Sequence, residues 1–293
     1  MNARVLSATR LSRGITGVAI FGASAGLYYT YMRNMAYADS GSPKKAFGSG
    51  PAFLSLELES SEAVNHNTKR LRFKLPTEDT VSGLTLTSAL LTYSWPKGST
   101  LPVVRPYTPI NSLDERGALE LLIKKYPDGK QSTYIHSLKP GDTLRFVTKI
   151  PGYSYQPNKH SEILLVAGGA GITPIYQLIR GILENPEDRT KMNLVFGVNS
   201  DADILLRKEL EEYAANFPGR FNVTYAISKP AAGSPFRQGY VTKELLNEVA
   251  PQSSYDKVFV CGPPPMETAL VGSWQKSGIL RELGYRKDQI HKF

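Results

Sequence analysis

The sequence predicts a membrane-anchored protein with two folded domains, an antiparallel β-barrel followed by an α/β domain with a parallel sheet. Three observations support this architecture. An uncharged segment covers residues 14–32, short β-rich runs fill residues 53–148, and strand-like runs alternate with amphipathic runs after Pro157. The 293 residues are 41% hydrophobic and 21% charged, which is enough for two domains and argues against a wholly disordered chain.

The N-terminal part, residues 1–49, has the composition of a targeting segment, a membrane anchor and a linker. Arg4, Arg10 and Arg13 lie among serine and threonine residues, and the first acidic residue is Asp39, a composition typical of mitochondrial targeting segments. The nineteen residues 14–32 would span roughly 28 Å as a helix, close to the hydrocarbon thickness of a bilayer. We therefore predict a single transmembrane helix there, with a cleaved presequence or signal peptide as the alternative.

The net charge of +9 is unevenly distributed along the chain. Residues 1–45 carry +5, residues 46–160 carry +4 and residues 161–293 are neutral. Because there is no zinc-finger spacing and no basic region leading into heptads, we predict no nucleic-acid partner. The single cysteine, Cys261, excludes an intrachain disulfide and a cysteine-ligated iron–sulfur cluster, and the four histidines lack metal-ligand spacing, so we predict no metal site.

The predicted barrel covers residues 50–155. Its short β-rich runs are FLSLELES, KRLRFKL, LPVVRPYT, ALELLIKKY and DTLRFVTKI, and they show no long helical period. The following stretch PGYSYQPNKHS is rich in Pro, Gly and polar residues, as domain boundaries are.

The predicted α/β domain covers residues 156–293. The apolar runs ILLVA, NLVFGV, FNVTYAI and KVFVCG predict strands, and each is followed by a segment with helical periodicity. These segments predict helices over 174–184, 204–215, 242–249 and 264–276. Alternation of strands and helices indicates a parallel sheet with helices on both faces.

Two glycine-rich turns follow strands of the predicted parallel sheet. Gly168, Gly169 and Gly171 end the first strand before a helix opening near Pro174, and GPPPM follows the strand that ends at Cys261. Glycines let a phosphate-bearing ligand approach the backbone, and a helix N-terminus favours its negative charge. Tight strand–helix packing is the alternative, and the absence of a P-loop motif disfavours an ATPase. Cys261 is either a small buried hydrophobe or a residue beside a ligand.

Two further motifs lie in the predicted barrel. RPYT places Arg105, Tyr107 and Thr108 at a strand end, which offers a guanidinium for phosphate, an aromatic plane and a hydroxyl. Downstream, Tyr126 precedes a turn rich in hydrogen-bond donors, GKQS at residues 129–132, which suits a pyrophosphate. Taken singly, these motifs also describe an edge strand with an exposed arginine and a solvated hairpin.

Together, the motifs RPYT, GKQS, GGAGITP and CGPPPM resemble, in this order, those of the ferredoxin reductase-like flavoenzymes. Within these, residues 50–293 are most similar to the NADH-cytochrome b5 reductases of the mitochondrial fungal type. The resemblance implies an FAD-binding barrel, an NADH-binding α/β domain, and electron transfer from NADH through FAD to cytochrome b5 or a similar acidic haem protein. Alternatives are an NADH-dependent reductase of quinones or other small acceptors, and a membrane-tethered binding or assembly protein.

The resemblance also implies roles for individual residues. Thr108, Thr173 and Cys261 would lie at the catalytic centre, with Cys261 beside the nicotinamide. Ala170 stands where the family usually has Thr, so one hydroxyl of the family motif is missing. The implied cofactor-binding residues are Arg105, Pro106, Tyr107, Thr108, Lys124, Tyr126, Gly129, Lys130, Gln131, Ser132, Gly168, Gly169, Ala170, Gly171, Thr173, Pro174, Cys261, Gly262, Pro263 and Met266.

Three further expectations follow from the resemblance and the charge distribution. Asp201 would lie near the adenine ribose and disfavour the 2′-phosphate of NADPH. The candidate residues for docking the acidic haem protein are Lys97, Lys124, Lys125, Lys130 and Lys149. The expected location is the mitochondrial outer membrane, with a single-pass N-terminal anchor, or the intermembrane space for a processed form.

Overall fold

The computed structural model describes residues 42–250 and 255–293, so the predicted transmembrane helix at residues 14–32 lies outside the described residues. The described chain contains two six-stranded sheets, and neighbouring strands run antiparallel in the first and parallel in the second. None of the described helices combines the length and the apolar character that a membrane crossing requires.

The first sheet is antiparallel and carries one helix. Its elements are β1 (Leu54–Asn65), β2 (Thr68–Lys74), β3 (Ala89–Ser94), β4 (Val103–Tyr107), β5 (Ala118–Lys124), the helix α1 (Lys130–Ser137) and β6 (Thr143–Ile150). The strand order across the sheet is β4-β3-β6-β1-β2-β5. The sheet encloses one apolar core, in which the Phe73 and Phe146 rings meet edge to face at 5.6 Å between centroids.

Helix α1 corrects the expectation that GKQS is a turn within the barrel. It begins at Lys130, directly after Gly129, and packs against the two edge strands β4 and β5. Only Gln131, Ser132 and Ile135 of its eight residues are buried. A helix this short, without a continuous apolar stripe, gives no usable periodicity in the sequence, because it is stabilised by tertiary packing.

The second sheet forms the α/β part of the chain. Its strands are β7 (Glu162–Gly168), β8 (Lys191–Val198), β9 (Phe221–Ile227), β10 (Arg237–Gln238), β11 (Lys257–Cys261) and β12 (Ile290–Lys292), in the order β10-β9-β8-β7-β11-β12. Its helices are α2 (Ile172–Leu183), α3 (Arg207–Asn216), α4 (Lys243–Val249), α5 (Pro264–Val271) and α6 (Ile279–Glu282).

Helices cover both faces of the parallel sheet, as the strand–helix alternation predicts. Residues Ile163 and Leu165 of β7 pack with α2 and α3 on one face. Residues Leu164 and Val166 pack with α4, α5 and α6 on the other. Because successive side chains of a strand point to opposite faces, a strand buried on both faces is apolar throughout, which explains the run ILLVA.

Two predicted helix boundaries are wrong. The helix expected over 264–276 ends at Val271, because Gly272 has φ +94° and a tight turn follows, in which the Ser273 N–H donates to the Lys276 carbonyl. The helix expected from residue 204 begins at Arg207. A 3₁₀ turn, Asp201–Asp203, precedes it, with its N-terminus capped by Ser200, and residues 204–206 lie between the turn and the helix.

Candidate functional site

Three adjoining cavities form one groove at the junction of the two sheets. Their volumes are about 820, 620 and 620 Å³, and Tyr126 lines all three. The first cavity lies at β4 and α1, the second lies between β4 and the glycine-rich turns, and the third extends over the carboxyl ends of β7 and β8. A ligand in this groove would contact both sheets, as is common for sites at the carboxyl ends of parallel strands.

The first cavity brings together two groups that bind anions. Arg105 is exposed on β4 and lines it, as does the N-terminus of α1 at Lys130. No side chain caps this helix, and the first backbone N–H groups of any α-helix lack an intrahelical acceptor. The guanidinium, these N–H groups and the positive end of the helix dipole suit a phosphate or diphosphate.

Local contacts explain why the chain turns into α1 at Gly129. The Ser132 hydroxyl donates to the Gly129 carbonyl at 3.0 Å and accepts from the Tyr126 N–H at 3.2 Å. A Cβ on residue 129 would lie 2.4 Å from Ser132 Oγ, so a larger residue here would displace the Ser132 hydroxyl from these two bonds. The Ser132 side chain therefore closes the turn, and residues 129–132 line the first cavity.

The second cavity contains the predicted flavin contacts. Tyr107, Thr108 and Thr173 line it; Thr108 directly follows β4, whereas Thr173 lies in the first turn of α2. Burial raises the pKa of Tyr107 to about 12, so its phenol keeps its proton at neutral pH. The Thr173 hydroxyl donates to the Ala170 carbonyl at 3.3 Å, which fixes this hydroxyl at the start of α2.

The two glycine-rich turns pack directly against each other. A Cβ at Gly168 would lie 2.4 Å from Met266 Sδ, and one at Gly171 would lie 2.3 Å from the Cys261 carbonyl oxygen. Tight packing therefore requires these two glycines, which is the alternative that the sequence left open. Gly168 and Gly171 also line the second cavity, so close packing of the turns and an open groove beside them occur together.

Cys261 lies at the end of β11 and lines the second cavity. Burial raises the pKa of its thiol to about 12, and the carboxylate of Glu267 contributes to this increase. The thiol is therefore neutral at physiological pH. Because the thiolate is the nucleophilic form, the arrangement provides a neutral contact beside a ligand rather than a covalent catalyst.

An ion pair links the two sheets at the wall of the third cavity. Lys124 Nζ of β5 lies 3.2 Å from Asp203 Oδ1 in the 3₁₀ turn after β8, and both side chains are largely buried. Burial alone would raise the pKa of Asp203, but the Ser200 hydroxyl and the Lys124 ammonium together hold it below its usual value. A negative carboxylate and its lysine partner thus face the same cavity.

All twenty predicted cofactor-binding residues line at least one of the three cavities. The groove fits FAD and NADH in two respects. The first cavity combines Arg105 with an uncapped helix N-terminus, as a dinucleotide diphosphate requires, and the glycine-rich turns leave a second dinucleotide access to backbone atoms. The individual binding roles of these residues stay predictions.

The side chain of Asp201, which was expected near the adenine ribose, is hydrogen-bonded to the loop after β9. Its carboxylate accepts from the Ala231 N–H at 2.8 Å and from the Ser234 hydroxyl at 2.6 Å, so it fastens the loop after β9. Asp203, rather than Asp201, lines the third cavity. The spacing of the two aspartates in DAD gave no signal that would have distinguished them.

Other residues that line the groove carried no recognisable motif. Thr87 has φ +65°, and its backbone carbonyl leaves room only for a glycine at position 152. His291 and Phe293 reach the second cavity from the C-terminal strand β12 and the chain end. Burial lowers the pKa of His291, so its imidazole is neutral at pH 7. Only the pairing of β12 with β11 brings these residues to the groove.

Comparison with known proteins supports an FAD-binding domain followed by an NAD-binding domain. Residues 55–155 match the family model described as "Oxidoreductase FAD-binding domain", and residues 165–271 match "Oxidoreductase NAD-binding domain". The chain is 49% identical to NADH-cytochrome b5 reductase 2 of Pyricularia oryzae over 260 residues, which are 86% of this chain and 78% of that protein. The chain belongs to the NADH-cytochrome b5 reductase family. This confirms the resemblance drawn from the four motifs.

Another relative and a solved structure extend the agreement within the NADH-cytochrome b5 reductase family. NADH-cytochrome b5 reductase 2 of Emericella nidulans is 46% identical over 287 residues, covering 94% of this chain and 89% of that protein. The crystal structure of the cytochrome b5 reductase domain of Ulva prolifera nitrate reductase superposes with a TM-score of 0.73 at 27% identity, covering 82% of this chain and 97% of that domain. The antiparallel sheet followed by the parallel sheet is therefore the ferredoxin reductase-like fold.

Proposed function

We propose that this protein is an FAD-dependent oxidoreductase that takes electrons from NADH and passes them to cytochrome b5. The observation that supports this most directly is the groove, in which the first cavity, at Arg105 and α1, adjoins the second cavity beside the glycine-rich turns. Relatives named NADH-cytochrome b5 reductase 2 share this sequence over most of their length. Two dinucleotides bound in this groove would meet near Thr108 and Thr173, which both line the second cavity.

The chain's own residues bind and orient the reactants. Bound FAD would supply the redox chemistry, namely hydride acceptance from NADH and single-electron release to a haem acceptor. Arg105 and the α1 N-terminus would neutralise the diphosphate, and Tyr107 would pack against the flavin ring. Thr108 and Thr173 supply hydroxyls from both sides of the junction, and the neutral Cys261 thiol would lie beside the nicotinamide. No acid–base triad is needed for this chemistry.

We infer that the docking surface for cytochrome b5 is smaller than the five lysines suggested by the sequence. Lys97, Lys125 and Lys130 are exposed. Lys124 is paired with Asp203, and Lys149 Nζ donates to the Gly83 carbonyl at 3.1 Å. The three exposed lysines are the better candidates for an acidic haem protein, because exposed charges govern encounter rates.

Charge reversal tests this docking surface. The Lys97→Glu variant should raise the KM for cytochrome b5 several-fold and weaken its salt dependence, while the rate with ferricyanide stays unchanged. Lys139→Glu, an exposed lysine on the same domain, is the control. Turnover with cytochrome b5 that is insensitive to salt in the native protein would contradict electrostatic docking.

Residues 1–49 bear on where the protein is located in the cell. The composition of residues 1–49 supports a mitochondrial targeting segment with a transmembrane helix at about residues 14–32, holding the protein at the outer membrane. A processed form in the intermembrane space is the second possibility. The remaining chain would divide into an FAD-binding barrel at 50–155 and an NADH-binding α/β domain at 156–293. Carbonate extraction and protease protection of isolated mitochondria, with a variant lacking residues 1–40, test the anchor.

The preference for NADH over NADPH is also a proposal. With Asp201 committed to Ala231 and Ser234, Asp203 is the carboxylate that faces the third cavity. A negative group there would disfavour a 2′-phosphate, and the adjacent Lys124 limits the effect, because it neutralises the carboxylate. The ratio of kcat/KM for the two nucleotides measures this preference.

One experiment tests the whole assignment against its rivals. The full-length chain is purified in detergent, its visible spectrum is recorded, and NADH or NADPH is added anaerobically before cytochrome b5 or a quinone. A yellow protein bleached by NADH and reoxidised by cytochrome b5 is the expected result. Faster reoxidation by the quinone would favour the small-acceptor alternative. A colourless protein that does not bind added FAD would overturn the flavoenzyme assignment in favour of a binding or assembly role.

A further inference from the structure

A buried chain of hydrogen bonds connects helix α1 to strands β3 and β4. The Ser94 hydroxyl donates to Gln131 Oε1, Gln131 Nε2 donates to Thr92 Oγ1 at 2.9 Å, and Thr92 Oγ1 donates to the Arg105 carbonyl at 3.0 Å. The three side chains are only 4%, 2% and 0% exposed, in the order Ser94, Gln131, Thr92. We call this set the Gln131 relay.

The chemistry of the groups fixes the direction of every bond in the Gln131 relay. An amide nitrogen can only donate and a carbonyl oxygen can only accept. Thr92 therefore accepts from Gln131 and uses its own proton for the Arg105 carbonyl. The opposite orientation of the Gln131 amide would draw the Thr92 proton away and leave that carbonyl without this donor. One arrangement satisfies the whole relay, so it holds its members in a single geometry.

The Gln131 relay joins the two elements that bind the anion in the first cavity. Gln131 lies in the first turn of α1, whose residues 130–132 line the cavity, and Arg105 supplies the guanidinium from β4. These elements are neighbours in space but separate in sequence. Their strands explain the connection, because Thr92 of β3 is the register partner of Arg105 on β4. Among the described residues, the relay is the side-chain link between the α1 N-terminus and the Arg105 backbone.

We propose that Gln131 is a positioning residue for the diphosphate of the bound flavin. Its side chain is only 2% exposed and is hydrogen-bonded to Ser94 and Thr92, so it sets the first turn of α1 in register with Arg105. Both anion-binding groups can then engage one diphosphate at the same time. This proposal rests on the proposed function and deepens it. It assigns Gln131 the role of orienting the groups that bind FAD, rather than of binding FAD itself.

A purely structural role for the Gln131 relay predicts a different outcome. Loss of a buried hydrogen bond would then lower the stability of the fold and leave FAD affinity unchanged in the protein that stays folded. A positioning role predicts weaker FAD binding in a folded protein, because misaligned groups lose simultaneous contact with the diphosphate. The KM for NADH should not respond, because the relay lies at the first cavity, away from the glycine-rich turns.

The test uses the full-length, FAD-loaded protein and its variants Gln131→Met and Thr92→Val, which keep the side-chain volume and remove the relay. FAD dissociation constants come from the recovery of FAD fluorescence on dilution, and far-UV circular dichroism verifies folding at the same temperature. We expect about 10- to 100-fold weaker FAD binding by both variants. The double variant should lose no more than the stronger single variant, because both substitutions break one relay.

Two further variants serve as matched controls. Thr92→Ser retains the hydroxyl and should restore FAD affinity to within about threefold of the native value. Thr133→Val changes an exposed residue of the same helix and should leave the affinity unchanged. If Gln131→Met fails to fold, Ser94→Ala replaces it in the test, because this substitution removes only the hydrogen bond at the end of the relay. The expected loss of FAD affinity is then about threefold or more.

Three results would separate the possible failures. Folded Gln131→Met and Thr92→Val proteins with native FAD affinity would overturn the positioning role. An equal loss of FAD affinity in Thr92→Ser and Thr92→Val would overturn it as well, because the hydroxyl would then be irrelevant. A native protein that binds no FAD would instead overturn the proposed function.

Discussion

Lys124 Nζ lies 3.2 Å from Asp203 Oδ1, and this ion pair joins the antiparallel sheet to the turn that follows β8 of the parallel sheet. Asp203 also accepts from the Ser200 hydroxyl at 2.7 Å, so its carboxylate both caps a 3₁₀ turn and contacts the other sheet. Nearby, Asn65 Nδ2 donates to the Ala202 carbonyl at 2.9 Å, and the exposed side of the same junction has an Arg70–Glu209 pair. This side of the groove is therefore held by polar contacts.

Replacing Asp203 with Asn should lower the free energy of unfolding by about 1.5 to 3 kcal/mol, because a largely buried lysine loses its charged partner. Urea denaturation followed by circular dichroism measures the change. Asp79→Asn is the matched control, because Asp79 is 86% exposed in its pair with Arg116 and should cost less than about 0.5 kcal/mol. Equal effects of the two substitutions would contradict the assigned role of the buried pair.

The same ion pair predicts a pH dependence of stability. The pKa of Asp203 is lower in the folded protein than its usual value of 3.8, so the folded state favours the carboxylate. Its contribution is fully present above the unfolded pKa and is lost as the pH falls through the lower, folded pKa. The stability difference between the native protein and Asp203→Asn should therefore be constant from pH 7 to about 5 and shrink below about 4. A difference that persists unchanged at pH 3 would contradict this account.

Cys261 should be almost unreactive in the native protein. Burial raises the pKa of its thiol to about 12, whereas a free thiol has a pKa near 8.5. Alkylation by iodoacetamide at pH 8 should consequently be at least about 100-fold slower than in the urea-unfolded chain. Because the chain has one cysteine, mass spectrometry reads the reaction without ambiguity. Rapid alkylation of the folded protein would show that the thiol is more accessible to water or more acidic than its surroundings indicate.

Arg105→Ala should weaken FAD binding by about 10- to 100-fold, since it removes a charge-assisted contact to a diphosphate. Arg105→Lys should recover only part of the affinity, because an ammonium cannot form the bidentate contact. Fluorescence titration with FAD measures both variants. Arg116→Ala, which removes an exposed arginine on the same domain, is the control. Unchanged affinity in Arg105→Ala would exclude this residue from the diphosphate site.

Gly171→Ala should destabilise the α/β part, because the new Cβ would meet the Cys261 carbonyl oxygen at 2.3 Å and force the two glycine-rich turns apart. We expect a loss of about 1 to 3 kcal/mol, the usual cost of overpacking. Ala170→Ser, at the partly exposed neighbouring position, should change stability by less than about 0.5 kcal/mol. Native-like thermal unfolding of Gly171→Ala would mean that the turns can separate without cost.

Several features of the fold could be predicted from the sequence because they depend on local patterns. The apolar run ILLVA and its alternation with amphipathic segments predicted a parallel sheet with helices on both faces, which the structure confirms. Helix α1 and the end of α5 could not be predicted in this way. The first is a short helix held by packing against two edge strands, and the second depends on the conformation of Gly272.

The sequence by itself determined the family and the residue types at the groove, because the motifs RPYT, GKQS, GGAGITP and CGPPPM occur in the order that is typical of the family. The tertiary structure decided which atoms face the groove. It placed Asp203 there instead of Asp201, and it turned the Gln131 side chain toward Thr92 and Ser94. Such choices depend on partners distant in sequence, since a buried polar group must find a donor or acceptor wherever the fold brings one.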